Sequence, residues 1–297
     1  MELETPTQVP SVVIGHDMSP ELFDDVSAAL RSMGVVVKVN GFTPPTHQCK
    51  VIVVVSPKGG SGKTAVSSNL AVALAQRNPG RVVAVDLDVQ FGDLALALSL
   101  TPQRTLAQLS RASQIDSTTV KLHLSPSDHG LFVLAGATDP VDADSIGHAH
   151  VSTVIPLLAE EFDYVIVDTP AGLDECTLAA IDCATDLLLV SSLEVTSIRS
   201  LRKALDAFDH IGVKAQRKLL LNRADAKAGL SPSDAEEAIG MPISCSIPSS
   251  REVPMSLNLG RPVVLSEPRS AVAKQLQLLA QSYLPVAPEK AAKGWRR

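Results

Sequence analysis

The segment Ser56-Pro57-Lys58-Gly59-Gly60-Ser61-Gly62-Lys63-Thr64 constrains this chain more than any other. It follows an apolar run at 51–55 that reads as a strand, and a helical pattern begins inside it, with Val66, Leu70, Ala73 and Leu74 on one face of 63–77. A strand, a glycine loop and a helix in that order make a cradle for a phosphate. Backbone N–H groups must converge on the oxygens through conformations that a Cβ would obstruct, and the helix N-terminus adds its partial positive charge at the same point. In such a loop Lys63 would contact the β and γ phosphates and the Thr64 hydroxyl would ligate Mg²⁺. The ordinary eight-residue pattern opens on Gly. Here that place is held by Pro57, and Lys58 precedes the glycine pair. The competing reading, a glycine-rich turn without a ligand, does not explain the strand and helix that flank it.

The rest of the chain supplies a frame for that loop. With 297 residues, 45% of them hydrophobic and only 3% aromatic, the interior must be filled by Val, Leu, Ile and Ala, as buried parallel sheets are. Apolar runs at 51–55, 82–86, 131–135, 164–168, 186–191, 217–221 and 243–247 alternate with amphipathic stretches, predicting an α/β fold with a doubly wound, mostly parallel sheet. One predicted helix, 197–211, carries Ile198, Leu201, Leu205 and Phe208 on one face. The last starts at Ala271, presents Val272, Leu276, Leu279 and Tyr283, and must end by Pro285. The expected domains are a loose leader at 1–10, a small β-α-β appendage with its linker at 11–47, a main domain at 48–284 and a mobile basic tail at 285–297. Within the appendage, 11–14 and 35–39 read as strands and 20–33 as a helix. The net charge of −6 argues against a globally basic polyanion binder. Cys49, Cys176, Cys183 and Cys245 have no metal-ligand spacing, so reduced thiols in a cytoplasmic protein are expected.

Two acidic strand ends follow in the order a nucleotide site needs. Val82-Val83-Ala84-Val85 leads into Asp86-Leu87-Asp88-Val89-Gln90-Phe91-Gly92-Asp93, and carboxylates two apart on an emerging strand share a side. Asp163-Tyr164-Val165-Ile166-Val167-Asp168-Thr169-Pro170-Ala171-Gly172 is a buried strand ending in one Asp and a turn, the form that holds a carboxylate against a magnesium water shell. A helix-start or loop-capping cluster is the bland alternative for the first, and the second is only moderately specific by itself. Leu219-Leu220-Leu221-Asn222-Arg223 ends another strand, where an Asn by itself is commonly a turn residue.

Together these segments resemble the deviant Walker A ATPases of the MinD/ParA family, over about 51–279. The resemblance implies nucleotide contacts from Lys58, Gly59, Gly60, Ser61, Gly62, Lys63, Thr64 and Ala65, with Asn222, Arg223 and Pro248 on the adenine side. It implies ATP and Mg²⁺ as cofactors, Mg²⁺ being held by Thr64, Asp86 and, through water, Asp168. Lys58, Lys63 and Asp88 are implied as catalytic residues, Lys58 reaching a partner's nucleotide across a homodimer and Asp88 orienting the attacking water. The stretch 86–98, followed by Pro102 and Leu106, is similar to the CpaE/TadZ ATPases of Tad-type (Flp) pili, which carry a receiver-like domain in front; residues 11–47 are then its remnant. The segment 253–264 is equally MinD-like.

The implied activity is a slow, partner-stimulated ATPase acting as a dimerising switch that positions pilus or secretion machinery through an unidentified protein partner. The alternatives are a MinD-like septum-site regulator, a ParA-like partitioning ATPase, and a nucleotide-binding scaffold with little hydrolysis. Arg199, Arg202, Lys203, Lys214, Arg217 and Lys218 are the candidates for nonspecific DNA contact, set against a solvated face with Arg202 and Asp206 paired. The tail has charge and one Trp but no apolar stripe, so contact with the inner face of a membrane or a cell pole would be peripheral. A metallocluster reductase would need Cys176 and Cys183 at a dimer axis, whereas small-hydrophobe packing is the commoner use of such residues.

Overall fold

Strands that are apolar on both faces require a sheet covered on both sides, and the computed structural model of the chain shows that arrangement. It describes residues 11–14, 36–39, 49–225 and 229–285. The chain divides into two units, residues 1–48 and 49–297. In the first, β1 (Ser11–Ile14) and β2 (Val36–Val39) pair in parallel, Ser11 opposite Val36. The expected leader at 1–10, helix at 20–33, linker at 41–47 and tail beyond 285 lie outside the described residues.

The second unit holds an eight-stranded sheet. Its strands are β3 (Lys50–Val55), β4 (Val82–Asp86), β5 (Ser125–Pro126), β6 (Phe132–Leu134), β7 (Tyr164–Asp168), β8 (Asp186–Ser192), β9 (Gln216–Asn222) and β10 (Ile243–Ile247), in the spatial order β10-β9-β8-β3-β7-β4-β6-β5. Every pair is parallel except the antiparallel edge β5–β6. Side-chain alternation sorts the core into two layers. Val51, Val53, Val55, Val165 and Val167 pack with helices α1 (His148–Glu161), α2 (Glu175–Asp182) and α3 (Val195–His210). Ile52, Val54, Ile166 and Leu188 pack on the other face with α4 (Lys63–Ala75) and α5 (Ala271–Gln281).

Helix α4 departs from the one-faced helix expected at 63–77, because nearly all of it is buried. The sheet covers one side and α5 the other, and Ser67, Ser68, Ala71, Ala73 and Ala75 are small enough to let both approach. It stops at Ala75, ahead of a turn through Pro79 and Gly80, where Gly80 takes φ 74°. The strand expected at 131–135 is confined to Phe132–Leu134, and α3 starts two residues before the expected 197. No helix among the described residues is long and apolar enough to cross a membrane.

Candidate functional site

Strand β3 lies between β7 and β8, and the chain leaves it into α4 on one face while α1, α2 and α3 cover the other. Helices that diverge from one strand end leave a crevice outside the carboxyl edge of a parallel sheet. The glycine loop occupies that edge. Gly60 (φ 71°) and Gly62 (φ 96°) sit in left-handed backbone that disfavours a Cβ, and a Cβ on Gly62 would also overlap the Asn222 amide. Gly62 is the N-cap of α4. It supplies no capping side chain, and the first turn carries no acidic residue. A 13-residue helix thus presents an uncapped N-terminus to a cavity of about 400 Å³, lined by Gly60, Gly62, Lys63, Thr64, Asp88 and Thr169 among others.

The charges around this cavity are held against their own preferences. Burial pushes the Lys63 pKa down while Asp168 and Asp88 oppose the shift. Burial raises the Asp168 carboxyl to about 6, against the pull of hydrogen bonds from Thr64 and Ser67 and the charge of Lys63. The Ser67 hydroxyl donates to Asp168 Oδ1 at 2.8 Å, while Asp168 Oδ2 is buried with no partner. An orphaned carboxylate oxygen beside a threonine hydroxyl and a helix end fits a hydrated dication, whose oxygen donors and waters satisfy such groups. The turn after Asp168 is tied to the loop: Thr169 donates to the Val54 carbonyl at 2.8 Å, and Gly172 N–H to the Ser56 carbonyl at 3.4 Å.

Asp86, expected among the magnesium-holding residues, also organises its own loop. Its oxygens accept the amides of Asp88 and Leu94, each at 3.1 Å, and a Cβ on Gly92 would overlap the carboxylate. Asp86 therefore folds the loop 87–94 around itself. Burial and then the adjacent Asp168 hold its pKa well above the carboxylate range. Asp88 lines the cavity.

Asn222, Arg223 and Pro248, the residues expected on the adenine side, line a second space of about 210 Å³ that meets the first at Gly62, Ala65 and Leu257. Asn222 has a bond that sequence reasoning did not foresee. Its side-chain amide donates to the Ser61 carbonyl at 2.7 Å and its oxygen accepts the Arg223 amide, so it braces the loop. Leu257 and Asn258, which also line the larger cavity, were missed as site residues, although 253–264 carries a family-like pattern. Lys58 does not point freely into solvent. It pairs with Glu194 and donates to Thr196 at 2.9 Å, both within the same chain.

Three of the six candidate DNA-contacting cations are engaged internally. Arg202 pairs with Asp206 and donates to the Ile239 carbonyl; Arg217 pairs with Asp209; Lys218 lies over the Tyr283 ring and donates to Ser282. Burial raises the Cys176 pKa to about 11 and pushes up the Cys183 thiol, which keeps both as unreactive thiols. No group of three potential metal-ligating side chains occurs among the described residues.

Comparison with known proteins agrees with this geometry. A family model described as an AAA domain matches residues 49–221. The putative septum site-determining protein MinD of Guillardia theta is 30% identical over 226 residues, covering 73% of this chain and 82% of that protein. The crystal structure of a ParA family ATPase from Chlorobium tepidum TLS superposes with TM-score 0.73 at 28% identity, covering 79% of this chain and 98% of the other. The septum site-determining protein MinD complexed with Mg-ADP from Pyrococcus horikoshii OT3 gives 0.71 at 25% identity, covering 79% and 95%.

Proposed function

This chain belongs to the MinD/ParA family of P-loop ATPases, and from that premise we propose that it is an ATP-hydrolysing switch that dimerises around Mg-ATP and positions other cellular machinery. The observation that carries the reading is the uncapped N-terminus of α4, facing a cavity shared with Lys63, Thr64 and Asp88, with an unpartnered Asp168 oxygen buried behind it. Backbone amides at 59–65 and the Lys63 ammonium hold the phosphate oxygens. Thr64 and, through water, Asp168 hold the magnesium. Magnesium, when bound, neutralises charge on the β and γ phosphates. Asp88 orients the water, and Asn222 keeps the loop in place beneath the base. Hydrolysis is slow in the isolated protein and a protein partner accelerates it, as a switch requires.

For the machinery positioned, we favour a Tad-type pilus or secretion assembly, on the likeness of 86–98 to the pilus ATPases. A septum-site role is the second reading, favoured by the likeness to MinD proteins. DNA partitioning has less support, since Arg202, Arg217 and Lys218 are already paired within the chain.

Lys58 is the residue proposed to cross the dimer. Its pair with Glu194 is half exposed on both sides, and exposed pairs are held weakly enough to exchange for a partner's phosphate. Lys58→Ala is expected to bind ADP like wild type and to remain monomeric with Mg-ATP, where wild type doubles in mass by size exclusion with light scattering. Wild-type-like dimerisation of the variant would show that Lys58 makes no contact across the interface.

Acid should weaken the magnesium site. The Asp168 carboxyl is raised, so the protonated form stabilises the empty fold fully below the ordinary carboxylate pKa, and that contribution is lost as the pH rises through about 6. Magnesium needs the ionised form and competes with the proton. Lowering the pH from 7.5 to 5 is expected to reduce the magnesium-dependent part of ADP affinity about tenfold, measured by calorimetry with and without the metal. A flat profile would remove Asp168 from the metal shell.

A further inference from the structure

Beside the nucleotide cavity lies another, of about 190 Å³, which the proposed reaction leaves without an occupant. Leu96, Leu100, Pro102 and Ala135 make apolar walls, while Asp86 and Asp88 bring two carboxyl groups to it. No Lys, Arg or His is among the residues that line it. Asp86 spends its oxygens on the amides of Asp88 and Leu94. The carboxylate of Asp88 takes no hydrogen bond or ion pair among the described residues, and it belongs to both cavities, as does Leu96. At this end of the domain Phe91 is 75% exposed and Leu96 60%.

These features select one kind of occupant. An apolar wall favours an aliphatic stem, and a half-buried carboxylate with no donor favours a cation at the end of that stem. Lys63 acts on Asp88 from the nucleotide side, where phosphate competes for it, so a wholly apolar group would bury Asp88 against hydrocarbon with its charge poorly compensated, at a cost that rises with desolvation. An anion would meet Asp88 at close range. We propose that this cavity receives a Lys or Arg side chain from a protein partner, whose neighbouring apolar residues lie against Phe91 and Leu96. The assignment rests on the shape and charge of the cavity. Only its consequence rests on the function proposed above: the docked cation touches the carboxylate that orients the water, giving the partner a direct hold on hydrolysis.

The test uses the full chain with n-butylguanidinium as the probe and n-butanol as its neutral counterpart, titrated by saturation-transfer NMR in the presence of Mg-ADP. Saturable binding of the cation, about tenfold or more tighter than the alcohol, is expected from one charge-assisted contact. Ala137→Phe, which fills the cavity from a lining position outside the nucleotide pocket, is expected to weaken the cation about tenfold while ADP still binds. Thr138→Phe, at a second lining position, repeats the test if the first variant does not fold. Equal binding of cation and alcohol, or unchanged cation binding by a folded filled variant, overturns the proposal. Cation binding with these preferences in a protein that takes up no ADP would uphold this site and sink the nucleotide reading instead.

Discussion

Replacing Lys63 with alanine is expected to lower ADP affinity about ten- to a hundredfold, with the fold retained. Lys63 is 8% exposed and stands at the first turn of α4, with Asp168 and Asp88 acting on its charge. A hydrogen bond to a charged group contributes about 1.5–3 kcal/mol, and of the two phosphates assigned to Lys63 ADP carries only the β, so losing that contact costs about ten- to a hundredfold in binding. The fold should survive because burial already disfavours the charged lysine. Asp168, deprived of its cation, can answer by taking a proton, since its carboxyl is already raised to about 6. Calorimetry with ADP, beside a circular dichroism melt, separates lost binding from lost structure. A variant that bound ADP within a few fold of wild type would mean that Lys63 serves the fold.

Substitution of Asp88 by alanine should leave binding in place and hold the protein in its dimeric state. Asp88 faces the cavity with no hydrogen-bonded partner among the described residues, unlike Asp86, which is fixed by two amides. A carboxylate that positions or accepts a proton from water contributes about a hundredfold or more to rate. Phosphate release by Asp88→Ala is therefore expected to fall by at least about that factor, while light scattering in Mg-ATP records a dimer that persists after wild type has returned to monomer. Turnover near the wild-type rate would assign the water to another group.

The parts of this molecule that were legible in its sequence are those set by local backbone demands. Gly60 and Gly62 announce the phosphate loop because their backbone is left-handed, and no other residue takes that conformation as readily. Strands β3, β7 and β8 have apolar cores, Val51 to Val55, Tyr164 to Val167 and Leu187 to Val190, because helices cover both faces of the sheet. What escaped the sequence depends on side chains far apart in the chain. The brace from Asn222 to Ser61 joins residues separated by 161 positions, and the Lys58–Glu194 pair spans 136. Ser67 carries no local sign that its hydroxyl will meet Asp168. The place of Asp86 near the magnesium came from the family resemblance; that its oxygens also take the amides of Asp88 and Leu94 depends on a loop conformation that spacing does not encode. The edge strand Ser125–Pro126 is two residues long, too short for any periodicity to reveal.

The central claim is that the uncapped end of α4, with Lys63 and Asp168, grips a magnesium-bound adenine nucleotide. Its most direct test is a calorimetric titration of the purified, folded wild-type chain with ADP, with and without Mg²⁺. One site per chain is expected, with tighter binding when the metal is present. Absence of any binding heat across titrations at several temperatures, from protein shown to be folded, would contradict it.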